Sequence, residues 1–415
     1  MLKNDCFALP PGVEWTPVTD ALATLRDRME PVTGTETVPL NAALGHVLAT
    51  DAIANHSTPP HDNAAVDGYA VAHASLTPEG EQSLILQEGR SAAGVPFAGT
   101  IPPGHALRTL TGAVMPDGTD SVVMQEDVEL DGTRITFGSG LKSGANRRKA
   151  GEDMAKGDTA LQAGSILTPA DLAQAASVGI ATLTIHRPLK VAVFSTGDEL
   201  IDPQQTPEAG EIFDANRPML AGLVQKLGCE VIDLGRIPDT ASAIRAALTD
   251  AASKADAVVT SGGASGGDED HIARELTALG AMTQWRIAMK PGRPLAMGQI
   301  DQVPVFGLPG NPVAAFVCFL LFARPALMRL GGATWPELPR FPVTIAGPAK
   351  KRAGRTEYLR ARYIGDGKVE KFRSEGSGLI SGLRWSDGLI ELSHGRDRVE
   401  AGETVDYIPY SAFGL

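Results

Sequence analysis

Three glycine-rich turns in the second half of the chain combine small, hydroxyl and acidic residues. They are residues 195–199 (STGDE), 261–268 (SGGASGGD) and 307–312 (GLPGNP), and each follows a short apolar run. Glycine lets a backbone come close to a ligand, and a helix amino terminus adds free N–H groups and partial positive charge. These turns therefore predict a site for phosphate or another oxyanion.

Carboxylates accumulate beside the same turns. They are Asp198, Glu199, Asp214, Asp239, Asp268 and Asp270. Hard oxygen ligands next to phosphate are typical of Mg²⁺, which needs only one or two carboxylates together with phosphate oxygens. Capping of helix amino termini explains any single acid equally well. The cluster as a whole favours a magnesium-assisted reaction.

Three further segments carry polar or charged residues. Residues 290–294 (KPGRP) place two cations on a proline-stiffened loop, which suits an oxyanion, although a solvated turn is the alternative for such a loop taken alone. Residues 59–70 (PPHDNAAVDGYA) indicate only a structured loop, in which His61 is better explained by a structural hydrogen bond than by metal ligation. The basic run at 147–149 is typical of a solvated face.

The elements around the three turns follow a strand–helix rhythm. Apolar runs at 189–194, 255–260 and 303–306 are typical of buried parallel strands, and helical patterns occupy 217–227 and 241–253. Ligands of open α/β sheets bind at the carboxyl ends of the strands. We therefore expect a doubly wound α/β domain that gathers the turns at one edge.

The segments outside this domain have a different texture. An apolar helical face that ends at Pro31 predicts an amino-terminal helix, and a capped helix should begin at Thr168-Pro169. Between them, residues 55–150 contain short β-like runs without helical periodicity. Residues 336–415 return to a β pattern, which predicts a carboxy-terminal barrel or sandwich.

Composition narrows the class of protein. The 415 residues carry 49 acidic and 37 basic side chains, a net charge of −12, which disfavours binding to nucleic acid. Cys6, Cys229 and Cys318 form no CxxC pair, so a disulfide framework or thiolate zinc site is not indicated and the cytoplasm is the expected compartment.

We also expect no membrane segment. The first residues lack a signal-peptide pattern, and the longest apolar stretch, 313–323, stops at Arg324-Pro325, short of the length of about 20 residues that spans a bilayer.

Seven motifs, in order along nearly the whole chain, resemble the molybdopterin molybdenumtransferase family, which includes MoeA and the gephyrin E domain. They are residues 62–69, 111–113 with 122–126, 146–153, 195–200, 261–270, 290–294 and 307–312. One glycine-rich turn alone is weak evidence, whereas seven ordered motifs are specific.

The resemblance implies insertion of molybdate into adenylated molybdopterin with release of AMP, with Mg²⁺ as cofactor. It also implies a homodimer, with a cleft between the α/β and terminal domains of one subunit and the β-rich domain of the other. Molybdopterin adenylyltransferase and molybdoenzyme maturation factors become candidate partners.

The same resemblance implies an elongated, β-rich amino-terminal region before a MogA-like α/β domain and a carboxy-terminal β-barrel. The boundaries are a helix within 1–30 that packs on the α/β domain, a linker or dimerisation unit of 31–54 with 151–186, a β-rich domain of 55–150, the α/β domain of 187–335, and the barrel of 336–415.

Site residues carry over by motif. The catalytic candidates are Asp62, Thr111, Glu199, Asp239 and Asp270, and the metal candidates among them are Glu199, Asp239 and Asp270. The substrate-binding candidates are Ser195, Thr196, Gly197, Ser261, Gly262, Gly263, Ser265, Arg286, Lys290, Arg293, Pro309, Gly310, Asn311, Pro312, Arg355 and Ser377. Arg286 and Arg293 stand where the family commonly has lysine, and a planar guanidinium is not equivalent to an ammonium.

Three other functions are open at this point. The α/β segment alone also resembles molybdopterin adenylyltransferase, although the additional domains argue against that activity. A non-catalytic scaffold, as the gephyrin E domain also provides, is a second alternative. A nucleotide-binding oxidoreductase is the third, but no Gly-x-Gly-x-x-Gly follows an early strand.

Overall fold

The chain forms four structural units, with an amino-terminal helix attached to the third. The computed structural model describes residues 15–262, 271–292, 294–351 and 354–415. Four predicted site residues lie outside these ranges, as do the first 14 residues of the predicted segment 1–30. Those four residues are Gly263, Ser265, Asp270 and Arg293.

A mixed six-stranded sheet forms the centre of the unit that carries the glycine-rich turns. Its order is Glu230–Ile237, Lys190–Thr196, Ala257–Ser261, Val303–Leu308, Pro294–Ile300 and Ala281–Arg286. The first four strands are parallel and the last two are antiparallel. The three strands predicted from apolar runs are therefore confirmed as neighbours in a parallel sheet.

Helices cover both faces of this sheet. One face packs against Asn216–Lys226 and the long helix that begins at Pro312, and the other packs against Ala241–Lys254 and His271–Leu279. Strands covered on both sides need apolar residues at every position, which is why Val191 to Phe194 is a continuous buried run. The predicted doubly wound α/β fold is confirmed.

The helix after the third turn is longer than the sequence indicated. It runs from Pro312 to Leu330, with a π-helical stretch at Phe319–Ala323 before Arg324–Leu330. Our expectation that the apolar segment stops at Arg324-Pro325 is wrong. The Arg324 guanidinium is accommodated inside because its Nε donates to the Phe413 carbonyl at 3.2 Å, and it lies over the Phe413 ring.

This helix has the length and composition to cross a membrane, at 19 residues and a mean hydropathy of 1.8. However, 89% of that window is buried inside the protein. It is the central core helix of the α/β unit, and its apolar residues are explained by packing.

The amino-terminal helix, Val18–Arg28, joins the same core. Val18, Ala21 and Leu25 are buried in one cluster with Leu327 and Leu330 of the long helix. The apolar spacing seen in the sequence thus faces the α/β unit.

Residues on both sides of the β-rich domain pair with each other to form a linking unit. Strand Thr35–Pro39 is antiparallel to Thr182–His186, and Ala52–Ile53 is antiparallel to Thr159–Leu161. Helix Pro169–Ser177 completes this unit, with Thr168 and Asp171 forming a capping box at its start. Whether this unit also makes a dimer contact stays a prediction.

The β-rich domain contains a six-stranded sheet and a small ribbon. The sheet order is Ser121–Met124, Gly68–Val71, His105–Thr109, Gln82–Ser91, Arg134–Phe137 and Glu129–Asp131. The ribbon pairs Asn63–Ala64 with Arg147–Arg148. This pairing places Asp62 next to the basic run at 147–149, for which the sequence favoured a solvated face.

The carboxy-terminal unit is a closed five-stranded barrel. Its cyclic order is Thr356–Gly365, Lys368–Lys371, Phe341–Ile345, Thr404–Pro409 and Gly388–Leu392, the last of which pairs again with the first. Met289–Lys290 extends the barrel by parallel pairing with Thr356 and Glu357. This pairing fixes the basic loop of the α/β unit against the barrel.

Candidate active site

A cavity of about 810 Å³ lies where the carboxyl ends of the parallel strands face the barrel. Its wall gathers residues from all three glycine-rich turns, the Lys290 loop and the barrel. The predicted site residues on the wall are Thr196, Gly197, Glu199, Asp239, Ser261, Gly262, Lys290, Pro309, Gly310, Asn311, Pro312 and Ser377. A volume of this size suits a cofactor-sized ligand.

The first turn folds an acidic side chain back over its own backbone. Gly197 has φ of +148°, and a Cβ there would lie 2.6 Å from Glu199 Oε2. Only glycine therefore leaves room for the Glu199 carboxylate in this position. Ser195 does not reach the cavity, since it is fully buried and its Oγ donates to the Asp214 carboxylate.

The second turn packs directly on the first. Gly262 has φ of +98°, and a Cβ there would lie 2.4 Å from the Thr196 carbonyl oxygen. The Gly262 N–H donates to the Leu308 carbonyl at 3.2 Å, at the end of the strand that leads into the third turn. The three turns thus form one continuous rim.

Asn216 links the second and third turns by hydrogen bonds, and the sequence analysis did not predict this role. Its Nδ2 donates to Ser261 Oγ at 2.7 Å and to the Gly310 carbonyl at 2.7 Å. The residue looked like an ordinary start of the helix at 216–226. The signal was its place two residues after Asp214, in a segment that already contained one of the clustered acids.

A guanidinium holds Asp214 and its surroundings. Arg217 donates from Nε to Asp214 at 3.2 Å, from Nη1 to Asp233 at 2.7 Å and from Nη2 to Asp202 at 2.9 Å. Asp214 therefore has a structural role beside the site, because its carboxylate accepts hydrogen bonds from Arg217 and Ser195.

The acidic part of the cavity surrounds Asp239. Burial is the main cause that raises the pKa of this carboxyl, and the negative charges of Asp198 and Glu199 raise it further. His271 and the hydrogen bond from Thr196 Oγ1 at 3.4 Å oppose that shift without cancelling it. A bound cation would relieve the same repulsion.

The described part of the cavity contains two of the three predicted magnesium ligands. Among residues 15–262, 271–292, 294–351 and 354–415, no group of three or more histidine, cysteine or acidic side chains is arranged to hold a metal. Asp270, the third predicted ligand, lies outside the described residues. Glu199 and Asp239 are the two candidate oxygen ligands among the described residues, and Mg²⁺ bound together with phosphate needs only one or two carboxylates.

Lys290 provides the cationic side of the cavity. Its Nζ donates to Glu375 Oε2 at 2.5 Å and lies 3.8 Å from Glu357 Oε2. Arg355 was predicted to bind substrate, but it does not line the cavity. It is buried behind Lys290, and its Nε and Nη2 donate to Glu357 Oε1 at 2.9 and 2.7 Å.

An apolar surface completes the cavity. Strand Leu200–Ile201 pairs in parallel with Ile212–Phe213, and the latter two side chains line the cavity while 56% and 46% exposed. Exposed large apolar side chains beside polar donors are typical of a ligand site.

Asp62 and Thr111 lie elsewhere in the same chain, in the β-rich domain. Asp62 pairs with Arg147 at 3.1 Å and accepts the Ala150 N–H at 2.8 Å. Thr111 donates its N–H and its hydroxyl to Asp67 Oδ1, both at 2.7 Å, and these two bonds hold the pKa of Asp67 below its usual value.

Arg286 also does not line the cavity. It ends the edge strand of the α/β sheet, where its carbonyl accepts the Thr16 N–H at 2.9 Å. Within one chain, therefore, the structure brings together twelve of the predicted residues and leaves Asp62, Thr111, Ser195, Arg286 and Arg355 off the wall.

Three family models match successive parts of the chain. They describe the MoeA N-terminal region (domain I and II) at residues 16–179, a probable molybdopterin binding domain at residues 192–329, and the MoeA C-terminal region (domain IV) at residues 342–410. Together they confirm the resemblance read from the seven motifs.

Individual relatives extend over nearly the same length. A molybdopterin molybdenumtransferase from Haemophilus influenzae is 42% identical over 387 residues, covering 91% of this chain and 95% of that protein. One from Nostoc sp. is 34% identical over 382 residues, covering 89% and 88%. The crystal structure of a molybdopterin biosynthesis moeA protein from Pyrococcus horikoshii OT3 matches with a TM-score of 0.84 at 30% identity, over 96% of this chain and 100% of that one. With the turns, the basic loop and the barrel all inside this likeness, the chain belongs to the molybdopterin molybdenumtransferase (MoeA) family.

Proposed function

We propose that this protein inserts molybdate into adenylated molybdopterin and releases AMP, as part of molybdenum cofactor biosynthesis. The observation that carries the proposal is the single cavity in which three backbone turns, two acids and Lys290 meet. The names of relatives that align over about nine-tenths of the chain support the same reaction.

The rim and the apolar surface suit the adenylated substrate. Its phosphates need N–H donors, which the backbone of the glycine-rich turns on the cavity wall would supply. Its planar ring system needs an apolar contact, which Phe213 and Ile212 offer. Because these contacts are spread over several turns, binding of this substrate does not depend on one side chain.

Molybdate is a small tetrahedral dianion, and Lys290 is the cation on the described wall that suits it. The Lys290 side chain is only 15% exposed, so an anion beside it is partly withdrawn from water and the charge-assisted bond is strengthened. Nearby backbone N–H groups and the Ser377 hydroxyl provide further donors.

In the proposed reaction the chain orients two bound substrates and stabilises charge. The turns hold the phosphate oxygens as water attacks the phosphoanhydride and AMP leaves, and Lys290 holds molybdate while the dithiolate replaces oxygens that leave as water. No protein nucleophile is required. Glu199 and Asp239 would hold Mg²⁺, which supplies positive charge to the phosphate oxygens when bound.

A homodimer and a cytoplasmic location belong to the same proposal. Asp62 and Thr111 lie off the wall of the cavity in their own chain. If they act in the reaction, a second chain must present them to the cavity.

The product of the reaction tests the proposal against adenylyltransferase activity. The purified chain is supplied with adenylated molybdopterin, molybdate and Mg²⁺, and separately with molybdopterin and ATP. We expect AMP and molybdenum cofactor from the first mixture. Formation of the adenylate from ATP, with no AMP from the first mixture, would support the alternative, and inactivity in both would favour a scaffold.

A further inference from the structure

We propose that Glu375 is a built-in competitor for Lys290, so that an anionic substrate binds only after it displaces the Glu375 carboxylate. This inference rests on the proposed role of Lys290 and adds a residue that controls anion affinity. Its starting point is the 2.5 Å contact between Lys290 Nζ and Glu375 Oε2, both of which line the cavity.

The contact joins two different units of the protein. Lys290 belongs to the loop that pairs with the barrel strand Thr356–Gly365, whereas Glu375 lies on the barrel between strand Lys368–Lys371 and helix Ser381–Trp385. Glu375 therefore reaches into the cavity from the barrel side and occupies the ammonium that faces it.

The local charge balance explains why this contact opposes an anion. The Glu375 carboxylate lies on the Lys290 ammonium, and Glu357 places a second negative charge 3.8 Å from the same Nζ. A dianion placed beside Lys290 would thus meet a carboxylate already on the ammonium. Like charges at this separation repel, and the partly buried position weakens screening by water.

The surroundings allow Glu375 to leave without a rearrangement of its loop. Nη2 of the buried Arg360 donates to the carbonyls of Ser374 and Gly376 at 2.7 and 3.0 Å, which fixes the backbone on both sides of Glu375. The Glu375 side chain itself is 33% exposed. Rotation of that side chain toward solvent removes its carboxylate from Lys290 while the backbone stays in place.

Substitution of Glu375 by the neutral amide tests the proposal directly. Sodium molybdate is titrated calorimetrically into the full-length protein and into its Glu375→Gln variant. We expect Glu375→Gln to bind molybdate about tenfold more tightly, because the competing charge is gone and the side chain keeps its size. Unchanged or weaker binding, or no measurable binding by the variant, would overturn the proposal, since Glu375 would then merely position Lys290.

A matched control comes from the same barrel. Like Glu375, Glu370 pairs with a basic side chain, in this case Arg362 at 3.1 Å, but it lies off the cavity wall. Glu370→Gln removes the same charge from the same unit and should leave molybdate affinity within about twofold of the parent. An equal gain in Glu370→Gln would show a general effect of net charge and contradict the proposal.

Lys290→Ala separates this inference from the proposed function. In that background Glu375→Gln should strengthen molybdate binding by clearly less than it does in the parent, because no ammonium is left to compete for and only the direct repulsion of the dianion is relieved. If Lys290→Ala fails to weaken molybdate binding, the assignment of Lys290 itself is wrong. If Lys290→Ala weakens binding and Glu375→Gln fails to strengthen it, only the competitor role is lost.

Discussion

At the residue scale, the cavity separates two kinds of recognition. Lys290 is a point charge held between the α/β unit and the barrel. The glycine-rich turns and Phe213 instead present backbone donors and an apolar face over a wide area. We therefore expect a small dianion to depend mainly on Lys290, and a large substrate to depend on no single side chain.

Lys290→Ala should consequently weaken molybdate far more than adenylated molybdopterin. Loss of one charge-assisted bond costs about 1.5–3 kcal/mol, or roughly ten- to hundred-fold in affinity for the ligand that it contacts. Calorimetry with each ligand separately measures this difference. Equal weakening of both ligands, or of the adenylate alone, would reassign Lys290 to the phosphates.

Asp239 should show opposite effects on stability and on function. Its pKa is raised in the folded protein, so between its unfolded and folded pKa values the folded state binds more protons and stability falls as pH rises. At pH 7 the ionised carboxylate is thus destabilising, and Asp239→Asn should raise Tm in metal-free buffer. It should also remove the increase in Tm that we expect Mg²⁺ to give the parent protein.

Thermal unfolding with and without Mg²⁺ measures both effects. A lower Tm for Asp239→Asn in metal-free buffer would show that the carboxylate contributes favourably to folding. An undiminished Mg²⁺ response would remove Asp239 from the metal site.

At the element scale, the continuous rim depends on close packing between the first and second turns. Gly262 and Gly210 both have φ of +98°, but a Cβ at Gly262 would meet the Thr196 carbonyl, whereas nothing lies within 4 Å of a Cβ at Gly210. The two positions share the backbone strain and differ in the steric contact.

Gly262→Ala should therefore cost clearly more than Gly210→Ala. Both substitutions pay about 1 kcal/mol for the left-handed conformation, and the clash at Gly262 adds roughly 1–3 kcal/mol. Chemical denaturation measures the difference, and binding of the adenylated substrate should fall only in Gly262→Ala. Equal destabilisation would mean that the turns separate easily.

The elements that sequence predicted best are those defined by continuous apolar runs. The strands at 190–196, 257–261 and 303–308 were anticipated because both faces of a covered sheet demand apolar residues. The continuation of the helix to Leu330 was not anticipated, because Arg324 and Pro325 are typical of the end of an apolar segment. The Phe413 carbonyl that accepts from Arg324 is distant in sequence, so its contribution could not be predicted.

Some site residues could be predicted from the sequence and others could not. Glycines and acids on turns could be predicted, since their types are tied to turn geometry and to charge. The burial of Arg355 behind Glu357 and the bridging role of Asn216 depend on contacts between separate units. Such contacts leave no local pattern in the sequence.

At the scale of the whole molecule, we expect each cleft to combine residues of two chains. Asp62 and Thr111 are on the β-rich domain, away from the cavity of their own chain. Heterodimers of inactive Asp62→Ala and inactive Asp239→Ala chains should regain activity, because one of their two clefts contains both intact residues. In verified heterodimers the expected recovery is up to about half of the parent activity. No recovery would place the whole reaction within a single chain.

In the proposed reaction, cleavage of the adenylate is coupled to molybdate in this cavity. The most direct measurement is AMP release from adenylated molybdopterin by the purified protein, with molybdate and Mg²⁺ each omitted in turn. We predict AMP release only when both are present, and its loss in Asp239→Ala. Equal AMP release without molybdate, or adenylate formation in place of cleavage, would contradict the proposed reaction.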